Sequence, residues 1–348
     1  MDPTTDIAGI DADAITQWMS GRVPELAVPL SFELITGGLS NLTYRLTDAQ
    51  GSRWVLRRPP LGHVLATAHD MGREHRIISS LLDTEVPVPP LVGFCEDSST
   101  NGAPFYVMQY VDGIIARDVA TATSMAPEAR ARSGPELIDV LGSIHAVDID
   151  RVGLGDLGRR EAYVERQLSR WHRQWEATKD GENPVMESLH QRLTARIPIQ
   201  GPATIVHGDY RLDNCILRQD GTIAAVLDWE LCTLGDPLAD VGLMLVYWSE
   251  PGDEVSIGLP QASTVDGFAS RTRLLDLYSD RTGRDLSEIG FYVALGYWKL
   301  ACILQGVLVR YRAGAMGTAA SDDDPFGTQV TSLAEAGMAA LDGRIGSR

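Results

Sequence analysis

Val206-His207-Gly208-Asp209-Tyr210-Arg211-Leu212-Asp213-Asn214, followed at 227–230 by Leu227-Asp228-Trp229-Glu230, is the stretch on which the reading of this chain turns. Cys215 to Leu217 and Ile223 to Leu227 are β-like runs joined through Gln219-Asp220-Gly221. An Asp-Gly pair between apolar runs is a strong hairpin signal, because both residues tolerate the left-handed backbone that a tight turn demands. Closing that hairpin is expected to carry Asn214 and Asp228 to its open end, with Asp209 on the loop that feeds it. Magnesium favours hard oxygen ligands and keeps water and phosphate oxygens in its shell, so an Asp and an Asn carboxamide suit it. A further, unliganded Asp nearby can accept a hydroxyl proton.

Upstream, the periodicity changes with position. Ile15, Trp18 and Met19 recur at helical spacing within 12–21, and Gly21 followed by Val23-Pro24 ends that helix. Phe32 to Ile35, Leu42 to Leu46 and Trp54 to Arg57 then read as a three-stranded antiparallel meander. Ile77, Ile78, Leu81 and Leu82 give a helix over 71–82, which Pro87 to Pro90 cannot continue. Strands near 91–96 and 105–110 flank the turn-rich Asp97 to Gly102. Downstream of about residue 111, helical patterns dominate, broken by one β stretch at 215–227, and a terminal helix is expected over 330–341. These observations place a small sheet-bearing lobe at 1–111 and a larger, mainly helical lobe at 112–348.

His207-x-Asp209-x-x-x-x-Asn214 has the spacing of a protein-kinase catalytic loop, with Asp228 heading the next loop. His207-Gly208-Asp209 and Asp228-Trp229-Glu230 replace the protein-kinase His-Arg-Asp and Asp-Phe-Gly, and in this the chain resembles the aminoglycoside phosphotransferase and choline kinase superfamily. Gly208 to Asn214, together with Leu234-Gly235-Asp236-Pro237-Leu238-Ala239-Asp240, most resembles the branch related to kinase-like domains joined to acyl-CoA dehydrogenases. The resemblance runs from about Ser31 to Arg312. It implies an α+β, bilobal, protein-kinase-like fold with a small antiparallel-sheet N-lobe, and an ATP- and Mg2+-dependent small-molecule kinase. It also implies that Asp209 is the catalytic base or hydroxyl-orienting residue and that Asn214 and Asp228 hold magnesium. His207 reads as a packed residue bracing the loop. Asp240, at the start of a helix over 241–248, is expected to receive backbone N–H groups of the catalytic loop and to serve its own helix N-terminus.

On this reading the first lobe supplies the nucleotide site. Gly37-Gly38-Leu39-Ser40-Asn41 sits at the first strand turn, where two glycines permit close backbone approach to phosphate and Ser40 and Asn41 can add hydrogen bonds. The lysine that kinases carry on the third strand is replaced within Trp54-Val55-Leu56-Arg57-Arg58, as in choline kinases and the dehydrogenase-associated branch. A forked guanidinium can bind phosphate oxygens. Strand alternation from Val55 selects Arg57 over Arg58, and Glu74 of the following helix is its expected partner. Phe105 to Gly113 reads as fifth strand and hinge, with backbone groups near Gln109 and Val111 meeting the adenine edge.

With 348 residues and 44% hydrophobic content the chain can bury a substantial core. Its net charge of −17, without a compensating basic run, argues against nucleic-acid and anionic-membrane partners. The N-terminal sequence has neither a basic start nor an apolar run, and a cytoplasmic location is expected. Cys95, Cys215, Cys232 and Cys302 show no metal-binding spacing and read as buried thiols.

The acceptor is less legible. Tyr163, Trp171, His172 and Trp175, with Tyr247-Trp248 and Tyr297-Trp298, read as core more than as pocket wall. No convergent acidic ring for a polyamine-like antibiotic can be assembled, and the branch resemblance implies a hydroxy acid or hydroxyacyl compound. A catalytically silent nucleotide-binding module and an aminoglycoside-modifying kinase stay open as alternatives. A protein kinase lacks support, since no Ala-Pro-Glu segment follows Asp228.

Overall fold

A computed structural model describes residues 7–35, 41–61, 69–253, 261–312 and 327–345. The expected phosphate-covering residues Gly37, Gly38 and Ser40 lie outside them. The chain divides into two compact units, one of residues 1–112 with Ala224–Glu230, the other of Gly113–Ile223 with Leu231–Arg348. The return of 224–230 to the first unit is a crossing that a linear boundary at 111 does not capture.

In the first unit, α1 (Ala12–Ser20) precedes β1 (Ser31–Leu34), β2 (Leu42–Thr47) and β3 (Arg53–Arg58). Then come α2 (Met71–Leu81), β4 (Leu91–Cys95), a one-turn α3 (Ser98–Asn101) where the sequence reads as a turn, and β5 (Phe105–Gln109). Asp11 and Asp70 cap α1 and α2 by accepting N–H groups of Ala14 and Arg73. The five strands form one sheet in the order β1-β2-β3-β5-β4, with antiparallel neighbours. One face packs Tyr44, Leu46, Trp54, Leu56, Phe105 and Val107 against Ile15 and Met19 of α1. Trp54 and Leu56 thus face α1, and by period-two alternation Val55 and Arg57 face the other way, the side on which α2 packs against β4 and β5. Arg58 accordingly reaches α1's side, where it donates to the carbonyls of Gly9 and Asn101.

The second unit is mostly helical: α4 (Val119–Ser124), α5 (Pro127–Ala146), α6 (Tyr163–Thr178) and α7 (Pro184–Ala195) lead to β6 (Thr204–Val206). Next comes β7 (Cys215–Leu217); β8 (Ile223–Val226) follows in sequence, with 224–226 belonging to the first unit, and then β9 (Thr233–Gly235), α8 (Leu238–Tyr247), α9 (Arg271–Thr282), α10 (Ile289–Arg312) and α11 (Gly327–Leu341). The Asp220-Gly221 turn forms as expected: Arg218 and Thr222 share a backbone hydrogen bond, and Gly221 takes φ +85° with the Ala129 carbonyl where a Cβ would sit. The antiparallel pair β6–β9 was not legible, because two three-residue strands, buried almost throughout, carry no period to read. Among the described residues α10 is long and apolar enough to cross a membrane, but it is the central core helix of this unit, packed on α6, α7, α8 and α11. All four cysteines are buried and free.

Candidate active site

The loop after β6 is built from the backbone outwards. Asp240, only 1% exposed, accepts the N–H of His207 at 2.7 Å and of Gly208 at 2.8 Å, one on each carboxylate oxygen. His145 of α5 stands 3.3 Å from the same carboxylate through Nε2, and its Nδ1 meets the Tyr278 hydroxyl at 2.8 Å. Burial pushes the Asp240 carboxyl up, but His145, His207 and the Gly208 N–H outweigh it, and it stays below the ordinary carboxylate range. Burial pulls the His145 imidazole down. Asp240 also serves its helix N-terminus as the acidic residue of the first turn, and Asp236 joins it there. Helix α8 begins at Leu238, so Asp240 already lies in its first turn, and Asp236 Oδ1 accepts the Leu238 N–H at 3.0 Å.

Gly208 takes φ +84°, and a Cβ there would stand 2.8 Å from the Leu231 carbonyl oxygen. Glycine is therefore required at the position where protein kinases carry arginine. His207 is wholly buried and its Nδ1 accepts the Asp209 N–H at 3.2 Å, a bracing contact. Asn214 ends a single 3-10 turn, Leu212–Asn214, and its Nδ2 donates to the Asp209 carbonyl at 2.8 Å and to Asp209 Oδ2 at 3.0 Å. Those two bonds turn the Asn214 carboxamide oxygen away from Asp209 and leave it as an acceptor for a cation. Arg211 Nε lies 3.4 Å from Asp209 Oδ2 and 3.2 Å from Asp213 Oδ1, and its guanidinium sits 4.7 Å over the Tyr247 ring. Arg211 and Asp213 are thus partners, and burial raises the Asp213 carboxyl against the pull of Arg211. A cavity lined by Arg117, Arg211, Asp213, Met244, Tyr247 and Trp248 opens beside this pair. Trp175, Trp248 and Trp298 are buried, Trp248 also bordering that cavity, and the equally buried Tyr163 and Trp171 wall a second cavity with Gly208 and Lys299.

The first unit carries a separate charged cluster. Arg57 Nη1 lies 3.1 Å from Glu74 Oε1 and Arg57 Nη2 lies 3.1 Å from Asp228 Oδ1. Burial works against the Arg57 charge, but Glu74, Tyr106 and Asp228 more than offset it and shift its pKa upward. Burial likewise raises the Glu74 carboxyl despite Arg57 beside it. Asp228 holds φ +63°, a left-handed conformation that a non-glycine residue adopts at a cost and that clusters at functional sites. Asn41 is buried, and its carboxamide is already engaged: Nδ2 donates to Glu230 Oε2 at 3.1 Å and Oδ1 lies 2.8 Å from His69 Nδ1. These contacts fix the carboxamide plane and leave one Nδ2 hydrogen as the donor available to a phosphate oxygen. Gln109 donates its N–H to the Pro90 carbonyl at 2.7 Å, and Val111 is a half-buried residue just past the end of β5.

Lys299 is the residue that sequence reasoning passed over. It is the single charged residue between Glu288 and Arg310, in the middle of the apolar α10, and its Nζ donates to the Gly208 carbonyl. A lone cation in an otherwise apolar helix is a signal, because burying it without a use is costly.

The phosphotransferase enzyme family model matches residues 31–273. This chain belongs to that family. The phosphotransferase is 35% identical over 340 residues to mouse acyl-CoA dehydrogenase family member 10, a match covering 96% of this chain and 31% of the mouse protein. It therefore spans about a third of that relative's length. A Ralstonia eutropha protein assigned to the aminoglycoside phosphotransferases superposes with a TM-score of 0.80 at 33% identity, covering 97% of this chain and 99% of that one. A choline kinase from Cryptosporidium parvum shares the fold alone, with a TM-score of 0.62 at 11% identity over 96% and 95% of the two chains. The chain thus has the α+β, bilobal, protein-kinase-like fold that its central motif implies, as a member of the phosphotransferase enzyme family.

Proposed function

We propose that the phosphotransferase uses ATP and magnesium to move the γ-phosphoryl group to a hydroxyl of a small molecule, a hydroxy acid or hydroxyacyl compound. The observation that carries this reading is the pairing of Asp209 with Asn214 on a loop whose backbone is fixed by Asp240. Asp209 is the base: its Oδ2 is oriented by Asn214 Nδ2 and by the Arg211 Nε 3.4 Å away, so the carboxylate presents a fixed lone pair to the acceptor hydroxyl. The proton passes from that hydroxyl to Asp209 as its oxygen bonds phosphorus and the β–γ bridging bond breaks, leaving ADP. Arg57, held by Glu74, is a rigid cation for the nonreacting phosphates. The oxygen donors of Asn214 and Asp228 suit a hard divalent cation, and Asp228 keeps Oδ2 beside the oxygen it gives to Arg57. Bound magnesium would neutralise phosphate charge.

The acceptor reading is supported by Arg117 and Arg211, which together with Asp213 line the cavity next to Asp209. Arg211 is engaged by Asp209 and Asp213, so Arg117 is the cation of this wall that favours an anionic acceptor over a polycationic antibiotic. A screen with γ-labelled ATP, magnesium and a metabolite extract supplemented with hydroxy acids, hydroxyacyl-CoA compounds and aminoglycosides tests this directly. Labelled hydroxy acid or hydroxyacyl product is expected. Label confined to aminoglycosides would replace the acceptor part of the proposal.

A further inference from the structure

Lys299 projects from the middle of α10 and donates through Nζ to the carbonyl of Gly208. That carbonyl belongs to the peptide whose N–H is the Asp209 N–H, and His207 Nδ1 accepts this N–H at 3.2 Å. The Gly208–Asp209 peptide is thus gripped at both ends, while Asp240 grips the N–H groups of the two preceding residues. Each of the three restraints comes from a different place: Asp240 from α8, His207 from the loop itself, and Lys299 from α10. The glycine between them is in the left-handed region, where the backbone has alternatives and needs holding.

The ammonium is otherwise lightly satisfied. Among the described residues no carboxylate stands within ion-pair distance of it, and its second neighbour is the Trp171 ring, 5.7 Å from Nζ. The cavity it borders is lined by Tyr163, Gln167, Trp171, Leu295 and Gly296 among others, with the acidic Asp240 on the same wall. Burial pulls its pKa down, while Asp209 and Asp240 oppose that shift and Arg170 and Arg211 add to it. A core helix that needed only packing here would carry leucine, as α10 does at Leu295 and Leu300 on either side. A cation placed against the carbonyl before the base has a use that leucine lacks: it fixes the peptide plane that aims Asp209.

We infer that Lys299 is a positioning residue for phosphotransfer, holding the Gly208–Asp209 peptide through the Gly208 carbonyl so that the Asp209 carboxylate is presented in one orientation. The inference deepens the proposed function, since it takes Asp209 to be the base. Its first test does not depend on activity. Hydrogen exchange is measured at His207, Gly208 and Asp209 in the full chain, for wild type and for Lys299→Met, Lys299→Gln and Lys299→Arg. Lys299→Met is expected to lose at least about tenfold protection at these three amides, with α5 and α8 unchanged, and the donor-bearing Gln and Arg variants are expected to recover most of it. In the transfer assay, kcat for Lys299→Met should fall about 10- to 100-fold with the KM for Mg-ATP unchanged, and Lys299→Arg should restore it.

Unchanged protection in Lys299→Met overturns the inference. So does a loss of protection spread through α8 and α10, which would mark Lys299 as a packing residue, and so does an effect confined to the KM of the acceptor. If wild type transfers phosphate to no acceptor, the proposed function fails, and the exchange data still decide the role of Lys299.

Discussion

Glu74 and Arg57 form an ion pair at 3.1 Å in which the Glu74 side chain is 2% exposed and that of Arg57 is 11% exposed. The pair reaches from α2 to β3, so the helix position and the Arg57 guanidinium are set together. Removing one partner of a buried pair leaves the other charge uncompensated, at a cost of about 3–5 kcal/mol. Asp228 remains beside Arg57, so Glu74→Gln should destabilise by about 3 kcal/mol, toward the lower end of that range, and raise the KM for nucleotide. Urea unfolding with initial-rate kinetics checks both; an unchanged midpoint would mean that Arg57 finds full compensation elsewhere.

Adjacent arginines on β3 should separate cleanly. Arg57→Ala is expected to lose Mg-ATP binding at least about tenfold, since it removes the cation facing α2. Arg58→Ala removes donors to the Gly9 carbonyl and to the Asn101 carbonyl, 3.0 Å away, and should cost about 1–3 kcal/mol of stability with nucleotide affinity retained. Calorimetric titration of both variants is the check, and equal loss of affinity in the two would contradict the assignment of faces.

Much of this architecture was readable from the residues. Alternation along Val55, Leu56, Arg57 and Arg58 separates the two faces of β3, and the helical spacing of Ile77, Ile78 and Leu81 marks α2. The spacing from Asp209 to Asn214 carries the loop, because five residues close one turn that brings the Asn214 amide onto the Asp209 carboxylate. What was hidden depends on distant partners. The engagement of Asn41 with Glu230 joins residues 189 apart, and Lys299 meets Gly208 across 91 positions. No local period encodes either contact. The start of α8 was placed late, because the helix begins at Leu238 behind Pro237, three residues before its apolar run, and Asp240 therefore lies inside its first turn.

Gly208→Ala tests the conformation of the loop. Its φ of +84° disfavours any side chain, and the added Cβ would press on the Leu231 carbonyl 2.8 Å away. The variant should lose more than about 1 kcal/mol of stability and most of its activity. Thermal melting together with transfer rates measures this, and a fully active Gly208→Ala would show that the loop can adopt another backbone path.

The His145–Asp240 contact predicts a pH dependence. Burial depresses the folded pKa of His145 below its ordinary 6.5, so the folded state holds it neutral while the unfolded chain binds a proton. The unfolded state therefore binds more protons once pH falls below about 6.5, and stability drops with falling pH from there down to the folded pKa. Asp240 has a depressed pKa too, and its contribution persists to lower pH, being lost only as pH falls through its own folded value. Unfolding free energy measured between pH 5 and 8 should decline on the acid side, and His145→Gln should flatten that decline. An equal slope in the variant would assign the dependence to another group.

The role of Asp209 as base is tested by transfer of the γ-phosphoryl group by Asp209→Ala beside wild type, with Mg-ATP affinity measured on both. The account predicts that the variant binds Mg-ATP as wild type does and transfers at least about a hundredfold more slowly. Transfer at the wild-type rate by a variant that still binds nucleotide would contradict it.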